Sequence, residues 1–434
     1  MSELLIVAVA VFGFAMVSER FSMSPVTAPM VFTTIGIVVG TGGFGWFDLD
    51  LEGEAVSILV EATLVLVLFT DAIRIDLKVL RRQAIMPGRL LGIGLPLTIV
   101  AGTAAALVVV PDLGLAEAAL LAAVLAPTDA ALGQAVVSDQ RLPVRIRQAL
   151  NVESGLNDGI AVPVVTVLLA WAAAEGAGGA GDWVELAARQ VGFGVAAGVA
   201  AGAVGGRILD SRSSVDAVEG VYRQLATIAV AVAAFGLAGV LDGNGFIAAF
   251  TAGLTFGQIA RHQCSGVQDF TEDEGELLSA ITFVIFGAVL VGPMLDELSW
   301  QTAIYAIASL TVIRIVPVLI AMIGSGTFLE TRLFLGWFGP RGLASILFAL
   351  VVVEELDSPA GRTIFTVAAW TVLASVFAHG LTANAWAGRL AHRLTIETDP
   401  MPENEPAAEM PTRRVLDIRP STPGGTPARE RSES

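Results

Sequence analysis

The strongest constraint on the fold is a series of thirteen predominantly apolar runs, most of them about 20 residues long. A helix of this length crosses the ~30 Å hydrocarbon core of a bilayer, because each residue adds about 1.5 Å. Only 15% of the residues are charged, whereas a soluble domain carries about 25%. The sequence therefore predicts an all-α integral membrane protein with about 13 transmembrane helices. The predicted spans, numbered 1 to 13, cover residues 3–17, 26–46, 55–73, 88–110, 115–137, 147–170, 184–206, 222–241, 244–260, 277–294, 301–323, 331–353 and 363–388.

Composition and charge exclude several other classes of protein. The formal net charge is −16, which argues against nucleic acid as a partner. Cys264 is the only cysteine, and the three histidines lack the spacing of a zinc site, so neither a disulfide scaffold nor a zinc centre is expected. Span 1 has no basic segment before it and no small-residue cleavage site after it. It is therefore expected to remain as a helix rather than to act as a signal peptide.

Basic residues are distributed unevenly between the two sides of this topology. The odd-numbered loops and the start of the C-terminal tail hold sixteen Lys and Arg residues, whereas the even loops hold only Arg189 and Arg362. Since cytoplasmic loops are enriched in Lys and Arg, the N-terminus is predicted to face outwards and the C-terminus to face the cytoplasm. The expected location is the cell membrane. The sixteen residues are Arg20, Arg74, Lys78, Arg81, Arg82, Arg89, Arg141, Arg145, Arg147, Arg207, Arg212, Arg223, Arg261, Arg332, Arg389 and Arg393.

The chain is predicted to divide into a membrane domain and a tail. Residues 1–393 hold all thirteen spans, whereas residues 394–434 are rich in Pro, Glu, Thr, Ser and Arg and show no apolar periodicity. Such a composition is typical of disorder. Residues 394–434 are therefore predicted to form a disordered cytoplasmic tail.

Span 6 opens with a polar stripe on one face of its helix. Ser154 and Asp158 are four residues apart, as are Glu153 and Asn157, and Asn151 precedes Ser154 by three. Residues at these spacings share a helix face. A charged side chain at mid-bilayer costs at least ~2.5–3.5 kcal/mol, so it needs a partner or a watery cavity. The stripe is therefore interpreted as a binding site rather than as a packing cluster.

Two spans are interrupted near their middle, span 5 at residues 126–130 and span 12 at residues 339–342. Each interruption contains a proline, which removes a backbone donor, and an ionisable residue, Asp129 or Arg341. Because unwound backbone at this depth lines a cavity or is buried in protein, the pattern predicts two inverted repeats, spans 1–6 and 8–13, whose broken helices cross near the midplane. Asp129 is expected to compensate the N-terminal helix ends and Arg341 the C-terminal ends. Arg341 is also expected to pair with Glu153.

Other polar or small residues within the spans have plainer interpretations. Arg314 in span 11 either snorkels towards the surface or pairs inside the bundle, and both interpretations stay open. His379 in span 13 is expected to pack between helices rather than to sense pH. A ladder of glycines at four-residue spacing in span 7 predicts close helix packing. These glycines are Gly194, Gly198, Gly202 and Gly206.

Four segments together resemble a known family. Residues 126–129 read Ala-Pro-Thr-Asp, residues 153–159 read Glu-Ser-Gly-Leu-Asn-Asp-Gly, and residues 339–342 read Gly-Pro-Arg-Gly. Residues 69–72, Phe-Thr-Asp-Ala, are similar to an acidic segment of the same family. The chain resembles the monovalent cation:proton antiporter-1 family, the NhaP-like sodium/proton exchangers, over roughly residues 1–393.

The resemblance implies roles for the site residues. Asp158 would be the carrier of both the cation and the proton. Ser154 and Thr128 would complete the cation shell with an acid from span 3. That acid is expected to be Asp71, with Glu61 as the alternative, because the glycine that often follows the family's acid is absent here.

The resemblance also implies a supporting set and an assembly. Asn157 would bridge a pair formed by Glu153 and Arg341, and Asp129 would support the site from span 5. A core bundle of spans 4–6 and 11–13 would move against a dimerisation domain in a homodimer. The activity implied is exchange of Na⁺ or Li⁺ for H⁺.

The residues themselves indicate how such exchange would work. A hard monovalent cation prefers oxygen ligands, and one partly desolvated carboxylate can bind H⁺ or the cation but not both. Because Asn157 adds no second titratable charge beside Asp158, exchange is expected to be electroneutral and one-for-one. The expected partners are membrane lipid, monovalent cations and protons. No resident cofactor and no enzymatic activity are expected.

Three other functions fit the sequence less well. K⁺/H⁺ exchange on the same fold is the main alternative, because the sequence does not determine cation selectivity. A sodium-coupled symporter of an organic anion would need a cationic pocket, yet Arg341 is the only basic residue near the breaks and is expected to be paired. An intramembrane protease would need Gly-x-Gly-Asp or Gly-x-Ser-Gly, and the chain contains neither.

Overall fold

The computed structural model describes residues 2–22, 25–46, 54–78, 80, 85–176, 183–213, 220–260, 277, 279–295, 298–396 and 402–404. The described residues form helices joined by turns, without any strand. The helices are α1 (Ser2–Ser22), α2 (Ala28–Val39), α3 (Glu54–Arg74), α4 (Ile85–Val109), α5 (Leu115–Val124), α6 (Ala130–Val137), α7 (Val144–Gly176), α8 (Trp183–Ser213), α9 (Gly220–Val240), α10 (Gly245–Ile259), α11 (Ser279–Met294), α12 (Trp300–Ala321), α13 (Leu329–Trp337), α14 (Leu343–Leu356) and α15 (Pro359–Ile396).

Each predicted span overlaps one helix, except spans 5 and 12, which each overlap two. Among the described residues, six helices (α4, α7, α8, α9, α12 and α15) are long and apolar enough to cross a membrane. Helix α12 contains a turn at Thr311, where the regular hydrogen bonding is interrupted before α12 continues at Val312. The structure therefore confirms an α-helical fold with long apolar helices, while the number of membrane crossings stays a prediction.

The two predicted helix interruptions are present. Helix α5 ends at Val124 and α6 begins at Ala130, whereas α13 ends at Trp337 and α14 begins at Leu343. Pro127 and Pro340 lie within the non-helical segments, and a proline there cannot donate the hydrogen bond that would continue the helix. Residues 125–129 and residues 338–342 together form the crossing.

Helices α8 and α10 pack with their backbones close together, as the glycine ladder predicted. A Cβ atom at Gly198 would lie 2.4 Å from the carbonyl oxygen of Ala248, and one at Gly202 would lie 2.4 Å from the carbonyl oxygen of Ala252. On its other side α10 approaches α3, where a Cβ at Gly253 would lie 2.3 Å from the carbonyl oxygen of Phe69. Only glycine allows backbones this close, so the packing interpretation is confirmed.

Three clusters of buried apolar side chains organise the described helices. The largest includes side chains of α3, α5, α7, α10, α11, α12, α14 and α15. A second is contributed by α3, α8, α9 and α10, with Phe69 and Phe256 among its members. A third is contributed mainly by α4, α6, α7, α12, α13 and α15, with Leu90 and Phe338 among its members. In a bilayer such clusters stabilise the bundle mainly by van der Waals packing, because lipid tails are themselves apolar.

Part of the predicted tail lies against the helices. Residues 402–404 form one 3₁₀ turn. Glu403 is buried and accepts a hydrogen bond from the backbone N of Phe328 at 2.8 Å, and Arg145 donates to the carbonyl oxygen of Pro402 at 2.7 Å. These contacts hold residues 402–404 in place, which differs from the predicted disorder. Helix α15 ends at Ile396, and the remainder of the predicted tail lies outside the described residues.

Candidate functional site

Asp129 joins the two interrupted helices. Its backbone N donates to the carbonyl oxygen of Pro340 at 2.8 Å, across the crossing. Its Oδ1 accepts from the backbone N of Ala131 and Leu132 at 2.7 and 3.1 Å, and its Oδ2 accepts from the backbone N of Leu343 at 2.6 Å. One carboxylate therefore caps the N-terminal ends of both α6 and α14, where the partial positive charge of each helix lies.

Arg341 lies at the opposite ends of the same interruptions. Its Nη1 donates to the carbonyl oxygens of Ala126, Pro127 and Gly339 at 3.2, 3.5 and 3.1 Å. These carbonyls follow α5 and α13, where helix ends carry partial negative charge. Arg341 is fully buried, so its positive charge is placed against backbone oxygens that no helix bond satisfies.

Two glycines make room for the charged groups at the crossing. A Cβ at Gly342 would lie 2.1 Å from Oδ2 of Asp129, and a Cβ at Gly339 would lie 2.6 Å from Nε of Arg314. Neither glycine has a left-handed backbone, so their role is close approach. The missing side chain of Gly342 thus leaves room for the carboxylate of Asp129, and that of Gly339 leaves room for the guanidinium of Arg314.

The prediction that Arg341 pairs with Glu153 is wrong. Glu153 forms a buried ion pair with Arg314, whose Nη2 donates to Glu153 Oε1. Arg341 instead places Nη1 among three backbone carbonyl oxygens. Arg314 is 1% exposed, so the interpretation in which it snorkels is also wrong. The sequence carried one signal for this pair, a basic residue deep within span 11.

Asn157 does not bridge the predicted pair. Its Nδ2 donates to Oγ1 of Thr128 at 2.6 Å, and Oγ1 of Thr128 lies 3.1 Å from Oγ of Ser154. The three side chains are buried and connect α7 to the interruption after α5. Asn157 therefore positions Thr128. The link between span 6 and span 5 is a hydrogen bond from the side-chain amide of Asn157 to the hydroxyl of Thr128.

Asp158 follows this polar cluster on α7. It is 6% exposed, and it lies one helical turn from Ser154, on the same face. The neighbouring Gly159 packs against the ring of Phe250 on α10, because a Cβ there would lie 2.0 Å from that ring. The carboxylate is thus buried in the protein, in the half of α7 that contacts the crossing.

The two candidate acids of span 3 occupy different surroundings. Asp71 is 6% exposed in the last turn of α3, with Nη1 of Arg74 at 3.9 Å from its Oδ1. Glu61 is exposed, lies about 15 Å earlier along the helix, and is close enough to Glu354 and Glu355 to interact with their charges. The buried position favours Asp71, and its role as a ligand stays a prediction.

Apart from Asp158, the charged side chains that the structure describes at the crossing balance one another. Arg314 and Arg341 are positive, Glu153 and Asp129 are negative, and all four side chains are buried. Within the described ranges, no group of three or more His, Cys, Asp or Glu side chains has the arrangement of a metal site. The hydroxyl oxygen of Ser154, on the same helix face as Asp158, is a ligand type that suits a hard monovalent cation.

A buried carboxylate beside two interrupted, crossing helices defines a class of membrane transporters that bind ions where half-helices meet. Residues 5–387 match the family model described as sodium/hydrogen exchanger, transmembrane. The chain belongs to this family as an NhaP-like member, and it is a multi-pass membrane protein. The predicted family is therefore confirmed.

Similar proteins include exchangers named for either cation. The K⁺/H⁺ antiporter NhaP of Alkalimonas amylolytica is 27% identical over 74% of this chain and 55% of that protein. The Na⁺/H⁺ antiporter 2 of Zygosaccharomyces rouxii is 26% identical over 76% of this chain and 43% of that protein. The chain thus spans about half the length of these curated relatives.

A solved structure shares the fold. The sodium proton antiporter MjNhaP1 from Methanocaldococcus jannaschii at pH 8 superposes with a TM-score of 0.72, over 92% of this chain and 100% of that chain, at 19% sequence identity. This similarity extends the family assignment to the arrangement of the helices.

Proposed function

We propose that the protein exchanges Na⁺ or Li⁺ for H⁺ across the cell membrane, at a single site where Asp158 binds either the cation or the proton. The burial of Asp158 beside the crossing is the observation that carries this proposal. Desolvation disfavours a bare carboxylate, so Asp158 is expected to be occupied at all times. Cation and proton then displace each other.

The cation shell would use oxygen atoms from three helices. Asp158 and Ser154 would contribute from α7, Thr128 from the interruption after α5, and Asp71 from α3. The contact between Thr128 and Ser154 supports this grouping, since it brings two hydroxyl oxygens together on the face that contains Asp158.

The balance of charges supports an electroneutral exchange. Arg314 pairs with Glu153, whereas Asp129 and Arg341 compensate the ends of the broken helices. Asp158 is then the group whose charge changes with the bound ion, and Asn157 beside it is not titratable. One Na⁺ replaces one H⁺.

One end of the helix bundle brings several Arg- and Lys-rich loops together, which supports the proposed orientation of the protein in the membrane. A cavity of about 170 Å³ is lined by Met86, Arg145, Ser325 and Pro402, among others. The first three of these residues lie in the loops between spans 3 and 4, spans 5 and 6, and spans 11 and 12, which are loops 3, 5 and 11 when the loops are numbered from the N-terminus. These odd loops are the ones rich in Arg and Lys, so their shared end is proposed to be cytoplasmic. The N-terminus would then face outwards.

We propose that the helices of spans 4–6 and 11–13 form a core that moves against a dimerisation domain in a homodimer. Two of the three apolar clusters follow this division, since one joins α4, α6, α7, α12, α13 and α15 and another joins α3, α8, α9 and α10. The largest cluster includes α3, α7 and α10, so the movement would take place within that contact.

The decisive experiment measures proton movement in everted vesicles after Na⁺, Li⁺ and K⁺ are added separately. The wild-type protein is expected to respond to Na⁺ and Li⁺, and Asp158→Asn is expected to abolish every response while the protein still folds. Asp242→Asn is the matched control, because Asp242 lies at an exposed turn beside Arg189. Cation-dependent proton movement that persists in Asp158→Asn would place the site elsewhere.

The same experiment tests the alternative cation. The similarity to the K⁺/H⁺ antiporter NhaP favours K⁺ as the second candidate. A response to K⁺ that exceeds the response to Na⁺ would replace the proposed cation and keep Asp158 as the site.

Stoichiometry needs its own measurement. In proteoliposomes, imposing a membrane potential is expected to leave the initial rate of Na⁺ flux unchanged, because one positive charge moves in each direction. A flux that rises or falls with the potential would contradict one-for-one exchange.

A further inference from the structure

Helix α15 holds both sides of the interruption between α13 and α14. Nε2 of His379 lies 2.8 Å from the carbonyl oxygen of Trp337, the last residue of α13. One turn earlier, Oγ of Ser375 accepts from the backbone N of Arg341 at 2.7 Å. Ser375 and His379 contact each other, with Oγ and Nδ1 3.1 Å apart. The two side chains therefore bridge residues 337 and 341.

The hydrogen-bond directions are fixed at the two ends of this chain of contacts. A carbonyl oxygen only accepts, so Nε2 of His379 donates to Trp337. The backbone N of Arg341 donates to Oγ of Ser375. Between them, Nδ1 of His379 lies 3.1 Å from Oγ of Ser375 and 3.0 Å from the carbonyl oxygen of the same residue. The links to Trp337 and to Arg341 are the same whichever of these two oxygens Nδ1 bonds to.

Packing alone does not account for this match. His379 does pack as the sequence predicted, because its ring lies 5.1 Å from that of Trp337 and 6.4 Å from that of Phe338, and the residue is 2% exposed. An apolar side chain of similar size would fill the same space. It would remove the side-chain hydrogen bond to the carbonyl oxygen of Trp337, which would keep its bond from the backbone N of Gly339 at 2.8 Å, and it would remove the contact between His379 and Ser375. Each lost hydrogen bond carries its own net cost.

We infer that His379 is a positioning residue for ion exchange, acting with Ser375 to hold the backbone from Trp337 to Arg341. The guanidinium of Arg341 reaches the carbonyl oxygens of Ala126 and Pro127. These residues immediately precede Thr128. His379 thereby determines where Thr128 lies, although it touches neither the cation nor Asp158. This inference rests on the proposed function, in which Thr128 is a cation ligand.

A positioning role of this kind acts on cation affinity. Loss of the hydrogen bonds allows residues 337–341 to shift, and the shift passes through Arg341 to Thr128. One net hydrogen bond corresponds to about a fivefold change in an equilibrium constant. We expect KM for Na⁺ to rise about fivefold in His379→Leu, with the maximal rate within twofold of wild type.

The experiment measures KM and maximal rate for Na⁺-dependent proton movement in everted vesicles, for full-length wild type and four variants. His379→Leu removes both ring nitrogens. His379→Gln restores an amide N–H near the position of Nε2 and is expected to return KM at least halfway to the wild-type value. Ser375→Ala removes the middle hydroxyl with little change in packing, and it tests the same chain of hydrogen bonds if His379→Leu does not fold.

Thr371→Ala is the matched control. Thr371 is fully buried on the same helix, one turn before Ser375, and its hydroxyl donates to the carbonyl oxygen of Val367 within α15. It is expected to keep the wild-type KM, even if the melting temperature falls. This separates loss of a buried hydroxyl from loss of the link to the crossing.

Two outcomes overturn the positioning role. An unchanged KM in both His379→Leu and Ser375→Ala would do so, as would a fall in maximal rate at constant KM with no recovery in His379→Gln, since both results describe a residue that only packs. A wild-type protein that moves no protons on addition of Na⁺, Li⁺ or K⁺ would instead remove the proposed function, and the positioning role with it. Wild-type activity thus distinguishes the two failures.

Discussion

The crossing and the α8–α10 pair bring backbones together by opposite means. At α8–α10 the contact is made by glycines, and a Cβ at Gly202 would lie 2.4 Å from the carbonyl oxygen of Ala252. Both helices continue through the contact, so their hydrogen bonds are internal. At the crossing the helices end, and the exposed backbone groups are satisfied by Asp129 and Arg341.

The difference shows what each contact can do. Glycine packing depends on shape alone, and a close-packed interface of this kind tolerates little change. Charge compensation depends on whether the compensating side chains, here Asp129 and Arg341, are charged. Helix ends at membrane depth supply the partial charges that an ion site needs. The α8–α10 pair is thus suited to a fixed scaffold, and the crossing to a site whose occupancy changes.

The largest expected effect on stability concerns the ion pair beside the crossing. Arg314→Met leaves the carboxylate of Glu153 buried without its partner, which costs about 3–5 kcal/mol. The double variant Arg314→Met with Glu153→Leu removes both charges and is expected to recover more than half of that loss. Unfolding of the purified protein in detergent measures both. Equal losses in the single and double variants would show that charge balance does not stabilise this region.

The next effect concerns the glycine contact. Gly202→Ala forces a Cβ against the backbone of Ala252 and is expected to destabilise the protein by about 1–3 kcal/mol. Gly192→Ala on the same helix is the matched control, because no atom lies within 4 Å of its added Cβ. It should be neutral, or should stabilise the helix by up to about 1 kcal/mol. If the two variants unfold alike, the close approach of α8 and α10 is not a source of stability.

The smallest effect lies in the loop that joins α6 to α7, outside the spans. Partial burial raises the pKa of Asp139, but hydrogen bonds from the side chain and backbone N of Arg141 outweigh it and hold the pKa below its usual value. Arg141 is 57% exposed on its side chain, so the pair contributes at most about 1 kcal/mol.

The pH dependence of this pair follows from the lowered pKa. A carboxyl group with a depressed pKa stabilises the folded state above its unfolded pKa of about 3.9, and the contribution disappears as the pH falls through the folded value. Arg141→Ala should therefore be slightly less stable than wild type at pH 7, and the two should converge below pH ~4. Melting curves across this range test it. A difference that grows in acid would contradict the assignment.

Much of the site could be predicted from the sequence because its signals are local. Proline in an apolar run, followed by a charge, located both interruptions, and the spacing of Ser154, Asn157 and Asp158 placed them along one helix. The partner of Glu153 could not be found in this way. Arg314 lies 161 residues away, and periodicity describes faces of one helix without saying which other helix packs there.

His379 is a second residue whose packing, but not whose hydrogen-bond partner, could be predicted from the sequence. Its sequence context predicted packing, which the aromatic contacts confirm. Its hydrogen bond to the carbonyl of Trp337 depends on an exposed helix end that exists only because α13 stops there. The sequence indicated that a helix is interrupted near residue 339 and that a histidine lies in span 13, but it did not indicate that the two come into contact.

The amino-acid sequence by itself determined the apolar helices, the two interruptions and the buried polar stripe of α7, because hydrophobic length, the missing donor of proline and the helical repeat act over a few residues. The tertiary structure alone decided that Arg314 rather than Arg341 pairs with Glu153, that one carboxylate caps two helices, and that Gly339 and Gly342 make room for charges. These outcomes depend on which helices cross and at what distance, and that arrangement is the result of packing over the whole chain.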